Sequence, residues 1–257
     1  MLLATWNVNS LNARMSRVLE FLAAHRPDVV ALQETKCAPE QFPHLELAAA
    51  GYTSVDHSGG RWAGVALLVR DDHEPTDVHV GLPDTPDLEA RWVEATVAGV
   101  HVASVYVVNG RALDDPMFGV KLQFLDRLRD RVVALGDRPL VVTGDFNIAP
   151  RDEDVWSIAA MVGGTHVTPE ERAKLTGLAE LGLVDAWDVA PERGPERFTW
   201  WDYRAGMFHK DQGLRIDLAL VSPQVRQRLA WVGIDREFRK GTKPSDHAPL
   251  LVRLDPS

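Results

Sequence analysis

The chain has 257 residues, with 28 Lys+Arg against 37 Asp+Glu and a formal net charge of −9. This acid excess argues against a protein that coats nucleic acid through bulk positive charge, but it allows an enzyme that meets phosphates through a metal and a local basic rim. With 45% hydrophobic and 25% charged residues it has the composition of an ordinary globular protein, long enough to bury a core without staples. The lone Cys37 cannot form an internal disulfide, so a reducing compartment and a small buried apolar role are expected for it.

In chain order, a strand is expected over 2–6, then an amphipathic helix over about 11–25 with Leu11, Met15, Val18, Leu19 and Leu22 on one face. Short valine-rich strands follow at 28–33, 64–70, 91–98 and 100–108. The last two are joined by one glycine, which forces antiparallel neighbours. A second helix over about 119–135 aligns Val120, Phe124, Leu128, Val132 and Leu135, and a strand follows at 139–143. Thr168-Pro169-Glu170-Glu171 has capping-box spacing with proline at the first helical position, and opens a third helix that stops near Gly182. A strand at 215–221, a short helix opened by Ser222-Pro223 and a strand at 248–253 complete the chain.

Hairpin pairs beside strand–helix–strand units imply a mixed sheet with helices outside it. No linker, repeat or low-complexity run divides the sequence, so one domain over 1–257 is expected. No signal-peptide pattern opens the chain, and no apolar run approaches the roughly 20 residues of a membrane span. A cytoplasmic protein is expected, nucleoid-associated when on DNA, with no membrane and no obligate protein partner.

The informative residues are the acids and amides that interrupt apolar strands. The run 28–33 ends in Gln33-Glu34, and 139–143 leads through Gly144 to Asp145-Phe146-Asn147. Asn7 and Asn9 follow the first strand, Asp217 lies between Ile216 and Leu218, and Asp246-His247 precede the last strand. A buried charge is costly unless it is paired or bound to a metal. Each residue alone has an ordinary reading: a loop cap for Glu34, turn formers for Asn7 and Asn9, an Asx turn for Asp145 and Asn147, an ion pair for Asp217, a structural role for His247. Four carboxylates beside buried strands are harder to explain singly. If antiparallel pairing sets the starts of the late strands beside the ends of the early ones, all converge on one rim. Such an oxygen-rich set suits a hard divalent cation, Mg2+ first, with Mn2+ a substitute. The matching chemistry is in-line attack of water on a phosphodiester, which needs a water-positioning base, a metal and neutral donors around phosphorus.

These segments also match a family. Thr5-Trp6-Asn7-Val8-Asn9, Leu32-Gln33-Glu34-Thr35-Lys36, Gly144-Asp145-Phe146-Asn147-Ile148-Ala149-Pro150, Gly213-Leu214-Arg215-Ile216-Asp217 and Ser245-Asp246-His247-Ala248-Pro249 occur in family order. The sequence resembles the exonuclease III type of abasic-site endonuclease, within the endonuclease/exonuclease/phosphatase superfamily. The resemblance implies an α/β fold, a four-layer α-β-β-α sandwich of two mixed sheets with helices outside. It implies incision 5′ to abasic sites, 3′-end cleaning and 3′-to-5′ exonuclease activity on double-stranded DNA with abasic sites or blocked 3′ ends. Glu34 would be the principal metal ligand, with Asn7, Asp145, Asn147, Asp246 and His247 around the metal. Asp145 would position water, Asn147 would stabilise the transition state, and Tyr106 would bond a phosphate oxygen or assist the leaving group. Asp217 would orient His247 against the phosphate. The sequence departs from the family pattern at Val108, where proline usually precedes Asn-Gly, and at Ala90, where glycine is usual.

Basic and aromatic residues supply candidates for the DNA surface: Asn9, Lys36, Trp62, Arg91, Lys121, Trp201, Phe208 and Lys210. By strand alternation one of Trp200 and Trp201 should face inward. The rival readings are a small-molecule or lipid phosphoesterase on the same core, and a DNA-binding homologue without catalysis.

Overall fold

The computed structural model describes residues 1–83 and 90–256. In chain order its elements are β1 (Leu2–Asn7), α1 (Leu11–His25), β2 (Val29–Gln33), α2 (His44–Ala49), β3 (Tyr52–His57), β4 (Val65–Arg70), β5 (Thr76–Val80), β6 (Trp92–Val97), β7 (Val100–Tyr106), α3 (Pro116–Leu135), β8 (Leu140–Asp145), α4 (Ile158–Met161), α5 (Pro169–Ala179), β9 (Val184–Asp185), α6 (Ala186–Val189), β10 (Glu192–Arg193), β11 (Asp217–Val221), α7 (Pro223–Arg226), β12 (Leu229–Ile234) and β13 (Leu250–Leu254). The seven-stranded sheet has the order β10-β12-β13-β1-β2-β4-β3, and the six-stranded sheet β5-β6-β7-β8-β11-β9.

Strand alternation divides the apolar residues into three layers. Leu3, Val29, Ala31, Val65 and Leu67 of the first sheet share one core with Val93, Ala95, Val102, Val141 and Ala219 of the second. Their odd-and-even neighbours turn outward. Ala4, Val30, Leu32, Ala66 and Leu68 pack with Val18, Phe21 and Leu22 of α1. Ala103, Val105, Val142, Leu218 and Leu220 pack with Phe124, Leu125 and Leu128 of α3 and Leu178 of α5. A strand buried on both faces shows apolar residues at every position, which is why these runs appear in the sequence as continuous. The result is the expected four-layer sandwich.

Helix starts follow local rules. The Asp115 side chain accepts the Met117 amide at the head of α3, with Pro116 at its first position. Thr168 and Glu171 form the capping box of α5.

Register explains why the polar residues meet. β1 and β2 are parallel, with Asn7 opposite Gln33. β7 and β8 are parallel, with Tyr106 opposite Asp145. β11 runs antiparallel to β8 and sets Asp217 opposite Asp145, and β13 runs antiparallel to β1. Ends of early strands and starts of late ones therefore share one rim. Gly144 has φ +151, and a Cβ there would collide with the Val105 carbonyl. Only glycine lets β8 approach β7 this closely just before Asp145.

Candidate active site

The site lies where the two sheets meet at that rim. Asn7 links them: its Nδ2 donates to Glu34 Oε1 at 2.8 Å and to Asp145 Oδ2 at 2.9 Å. Beneath it a second polar bridge joins the sheets, with Gln33 Nε2 donating to Ser104 Oγ at 3.0 Å and Ser104 Oγ donating to the Leu32 carbonyl. Glu34 stands just past β2 with φ +51, and Asn147 just past β8 with φ +51. Asn9 and Lys36 share this sign of φ, with values of +45 and +51; asparagine adopts the region readily, whereas for Glu34 and Lys36 it is uncommon.

Asp145 is buried and accepts the Asn147 amide at 2.9 Å through Oδ1. Burial, with Asp217 and Glu34 nearby, raises its carboxyl to about 7, although His247 and Asn7 oppose the shift. Asp217 is fully buried, and its Oδ2 takes His247 Nδ1 at 2.8 Å. Its Oδ1 is buried with no hydrogen-bond partner among the described residues. Burial alone would lower His247, yet Asp217 and the other carboxylates raise it to about 10, so the imidazole is a cation that donates through both nitrogens. Its Nε2 lies 3.8 Å from Asp145 Oδ2. Tyr106 closes the floor. Burial, then Glu34 and Asp145, push its phenol well above its usual value, so it stays protonated. The Arg91 guanidinium covers the Tyr106 ring at 4.5 Å, and its Nη1 donates to the Tyr106 carbonyl.

Glu34, Asp145 and His247 offer ligand atoms that all lie within 4.8 Å of one another. The other expected ligands sit differently. Asn7 turns its amide nitrogen to both carboxylates while its Oδ1 takes the Asn9 amide. Asn147 Oδ1 accepts Asn109 Nδ2 at 3.0 Å, and Asn147 Nδ2 donates to the Val107 carbonyl. Asp246 accepts Asn9 Nδ2 and Trp200 Nε1, both at 3.1 Å. His247, charged and tied to Asp217, is better placed to donate to an anion than to ligate.

Three expected DNA contacts require correction. Lys121 is fully buried, its ammonium surrounded by the Asn147 and Asn109 carbonyls, Thr165 Oγ1 and Glu171, so it cannot reach a phosphate. Trp201 is also fully buried, packed edge-on against Phe198 and Phe208. Arg91 is buried against Tyr106 and supports it from below. Phe208 is half-buried on Trp201 beneath the guanidinium groups of Arg236 and Arg239. Trp62 is 64% exposed with the Arg61 guanidinium 4.6 Å over its ring, and Lys210 is exposed. Lys36 Nζ donates to Asn9 Oδ1 and pairs with Glu34 at 2.6 Å.

Several supporting residues escaped sequence reasoning. Thr199 Oγ1 accepts the Ile216 and Asp217 amides, and its carbonyl accepts the Ala248 amide, which ties the two segments bearing Asp217 and His247. Ser245 Oγ donates to the Asn7 carbonyl at 2.6 Å. His166 Nδ1 meets the Asn147 carbonyl, and burial, with Lys121 beside it, lowers this histidine to about 4. Thr199 could have been suspected as a polar residue inside an aromatic run; nothing in the sequence marks His166.

A rim of this composition on a two-sheet sandwich defines a family. The endonuclease/exonuclease/phosphatase family model matches residues 4–247, and the chain belongs to that family. Exodeoxyribonuclease III of Haemophilus influenzae is 32% identical over 268 residues, covering 97% of this chain and 98% of that one. Among solved structures, the 3′ phosphatase NExo from Neisseria, bound to a product DNA hairpin, aligns with a TM-score of 0.94 at 40% identity over 99% of each chain. An AP endonuclease from Archaeoglobus fulgidus aligns with a TM-score of 0.94 at 33% identity over 100% of each chain.

Proposed function

We propose that this protein is a magnesium-dependent nuclease of DNA repair that hydrolyses phosphate ester bonds in duplex DNA, working at blocked 3′ ends and at abasic sites. The observation that carries this reading is the convergence of Glu34, Asp145, Asp217 and His247 on one rim, flanked by the Asn109–Asn147 pair. The donor set fits a hard divalent cation: it is rich in oxygen, and the crowding of carboxylates around Asp145 is what such a charge would relieve. Glu34 would hold the ion beside Asp145, and when bound it would supply Lewis-acid stabilisation of charge developing on the phosphate.

The chain's own residues do the rest. Asp145 takes the proton of the attacking water as the water oxygen bonds to phosphorus and the ester bond from phosphorus to the 3′ oxygen breaks, and that oxygen leaves as a hydroxyl with a proton from solvent. His247, held cationic by Asp217, donates from Nε2 to a phosphate oxygen. Tyr106, kept neutral, donates its phenol proton as a hydrogen bond. Asn147 and Asn109 add amide donors whose positions are fixed before substrate arrives, so little reorganisation accompanies charge development. A cytoplasmic location is part of this reading, and the likeness to bacterial exodeoxyribonucleases supports it.

The higher identity to a 3′ phosphatase than to an AP endonuclease favours 3′-end cleaning over abasic incision. The likenesses do not favour the small-molecule or lipid phosphoesterase. The deciding experiment offers labelled duplexes carrying a 3′ phosphate or one internal abasic site, with Mg2+ or with chelator, beside a Glu34→Ala control. Metal-dependent release of the 3′ phosphate, lost in the control, is the expected result. Failure to act on either duplex with any divalent metal overturns the proposal.

A further inference from the structure

The buried Lys121–Glu171 pair is not explained by stability. Both side chains have zero exposure, one on α3 and one on α5, in the helical layer outside the six-stranded sheet. Burying an ion pair is commonly no better for stability than burying two apolar side chains of similar volume. What distinguishes this pair is what it grips.

The Lys121 ammonium donates to the Asn147 carbonyl at 2.6 Å and to the Asn109 carbonyl at 3.3 Å. These are the main chains of the two asparagines proposed above as phosphate donors. Their side chains are joined by Asn109 Nδ2 donating to Asn147 Oδ1. Lys121 also reaches Thr165 Oγ1 and Glu171 Oε1, and Thr165 Oγ1 donates in turn to Glu171 Oε1 at 2.6 Å. Glu171 is anchored separately, accepting the His166 and Thr168 amides. On the other side, the Asn147 amide donates to Asp145 Oδ1. Asn147 is thus held at both its N–H and its carbonyl, in a left-handed conformation.

We propose that Lys121 and Glu171 are positioning residues: they fix the Asn109–Asn147 amide pair against the rim, acting on the reaction only through those amides. This rests on the assignment of Asn147 as a phosphate donor in the nuclease mechanism. Lys121 cannot itself touch DNA, and its value lies in being a fixed cation behind two main-chain carbonyls.

The test is the Lys121→Met/Glu171→Gln double variant, which removes both charges and keeps one acceptor oxygen, enough for one of the two amides of 166 and 168. It is assayed on the 3′-phosphate duplex with Mg2+, beside a thermal melt. The expected result is a cooperative melt with kcat lowered roughly 100-fold and KM unchanged, the scale of a small misplacement at a reacting centre. The same pair of substitutions in an Asn147→Ala background should lower kcat no further, because residues acting through one group are not additive. A double variant that keeps kcat within about twofold, or whose loss adds in full to that of Asn147→Ala, overturns the proposal. If the double variant does not fold, Thr165→Val is read by the same criteria; it removes one hydroxyl from the cluster and should lower kcat about fivefold, near the net worth of one hydrogen bond. Failure of the wild-type protein to act on DNA refutes the nuclease reading instead, so the two failures are distinct.

Discussion

Two buried charged clusters flank the start of β11, and they are built on opposite terms. Arg215 has zero exposure and is closed off: Nε and Nη2 bind the two oxygens of Asp154 at 2.8 and 3.0 Å, Nη1 binds Asp185 at 2.6 Å, and the Trp187 ring lies 5.5 Å away. Two residues later Asp217 begins the candidate catalytic rim, where Glu34, Asp145 and Asp217 crowd around His247, one oxygen of Asp217 lacks a partner among the described residues, and Asp145 is pushed up to about 7. The same depth of burial thus serves two ends. In the first cluster the guanidinium is hydrogen-bonded to both carboxylates, and the cluster joins the loop at Asp154 to β9 and β11. In the second, acids are left crowded, a condition that costs stability and that a cation and a phosphate would relieve.

The sharpest way to break this contrast is to substitute one member of each. Asp145→Asn keeps an oxygen for the Asn147 amide but removes the proton acceptor. Single-turnover cleavage should fall roughly 1,000-fold, while the melting temperature stays level or rises. Retained cleavage would mean that Asp145 is not the base. Arg215→Met should do the reverse. It strands Asp154 and Asp185 in the interior and should cost about 3–5 kcal/mol in chemical denaturation, with kcat of the folded protein unchanged. A large loss of kcat without loss of stability would move Arg215 into the catalytic machinery.

The sequence separates these clusters only in part. Strand-end acids are legible because a carboxylate at the end of an apolar run has few innocent explanations, and the rim follows from strand pairing. Helix starts at Pro116 and Pro169 obey local capping chemistry, so α3 and α5 fall near their expected places, and α1 follows its apolar periodicity. Edge strands escape the pattern: β5 is largely exposed, and β3 buries only Tyr52 and carries polar residues on both faces, so neither has the apolar signal of a central strand. Lys121 misleads for a related reason. A lysine on an amphipathic helix looks solvated, and only the distant Glu171, Asn109 and Asn147 carbonyls show that it is not. Long-range partners of this kind have no local spacing to reveal them.

A smaller effect concerns Glu94, which belongs to the satisfied class. Burial would raise its carboxyl, but His101 and Arg131 hold it down at about 2, and Trp92 Nε1 donates to it at 2.9 Å. A carboxyl depressed in the folded state stabilises above its unfolded value of 4.5 and loses that contribution as pH falls towards 2. The wild type should therefore lose about 3 kcal/mol through that window from this group. Glu94→Gln should be less stable at neutral pH and show a flatter decline in acid, measured by denaturant titration at a series of pH values. Parallel declines in the two proteins would show that Glu94 is not linked to folding.

The smallest effect tests the open cluster alone. A cation that binds only the folded rim stabilises it by mass action, by about 1.4 kcal/mol at tenfold excess over its dissociation constant. Mg2+ should raise the melting temperature of the wild type by a few degrees, and chelator should reverse the shift. The rise should vanish in Glu34→Ala, which removes the principal ligand, and persist in Arg215→Met, whose lowered baseline lies in the other cluster. A shift that survives Glu34→Ala but disappears in Arg215→Met would place the cation among Asp154 and Asp185, and the Arg215 cluster, not the catalytic rim, would be the one left open.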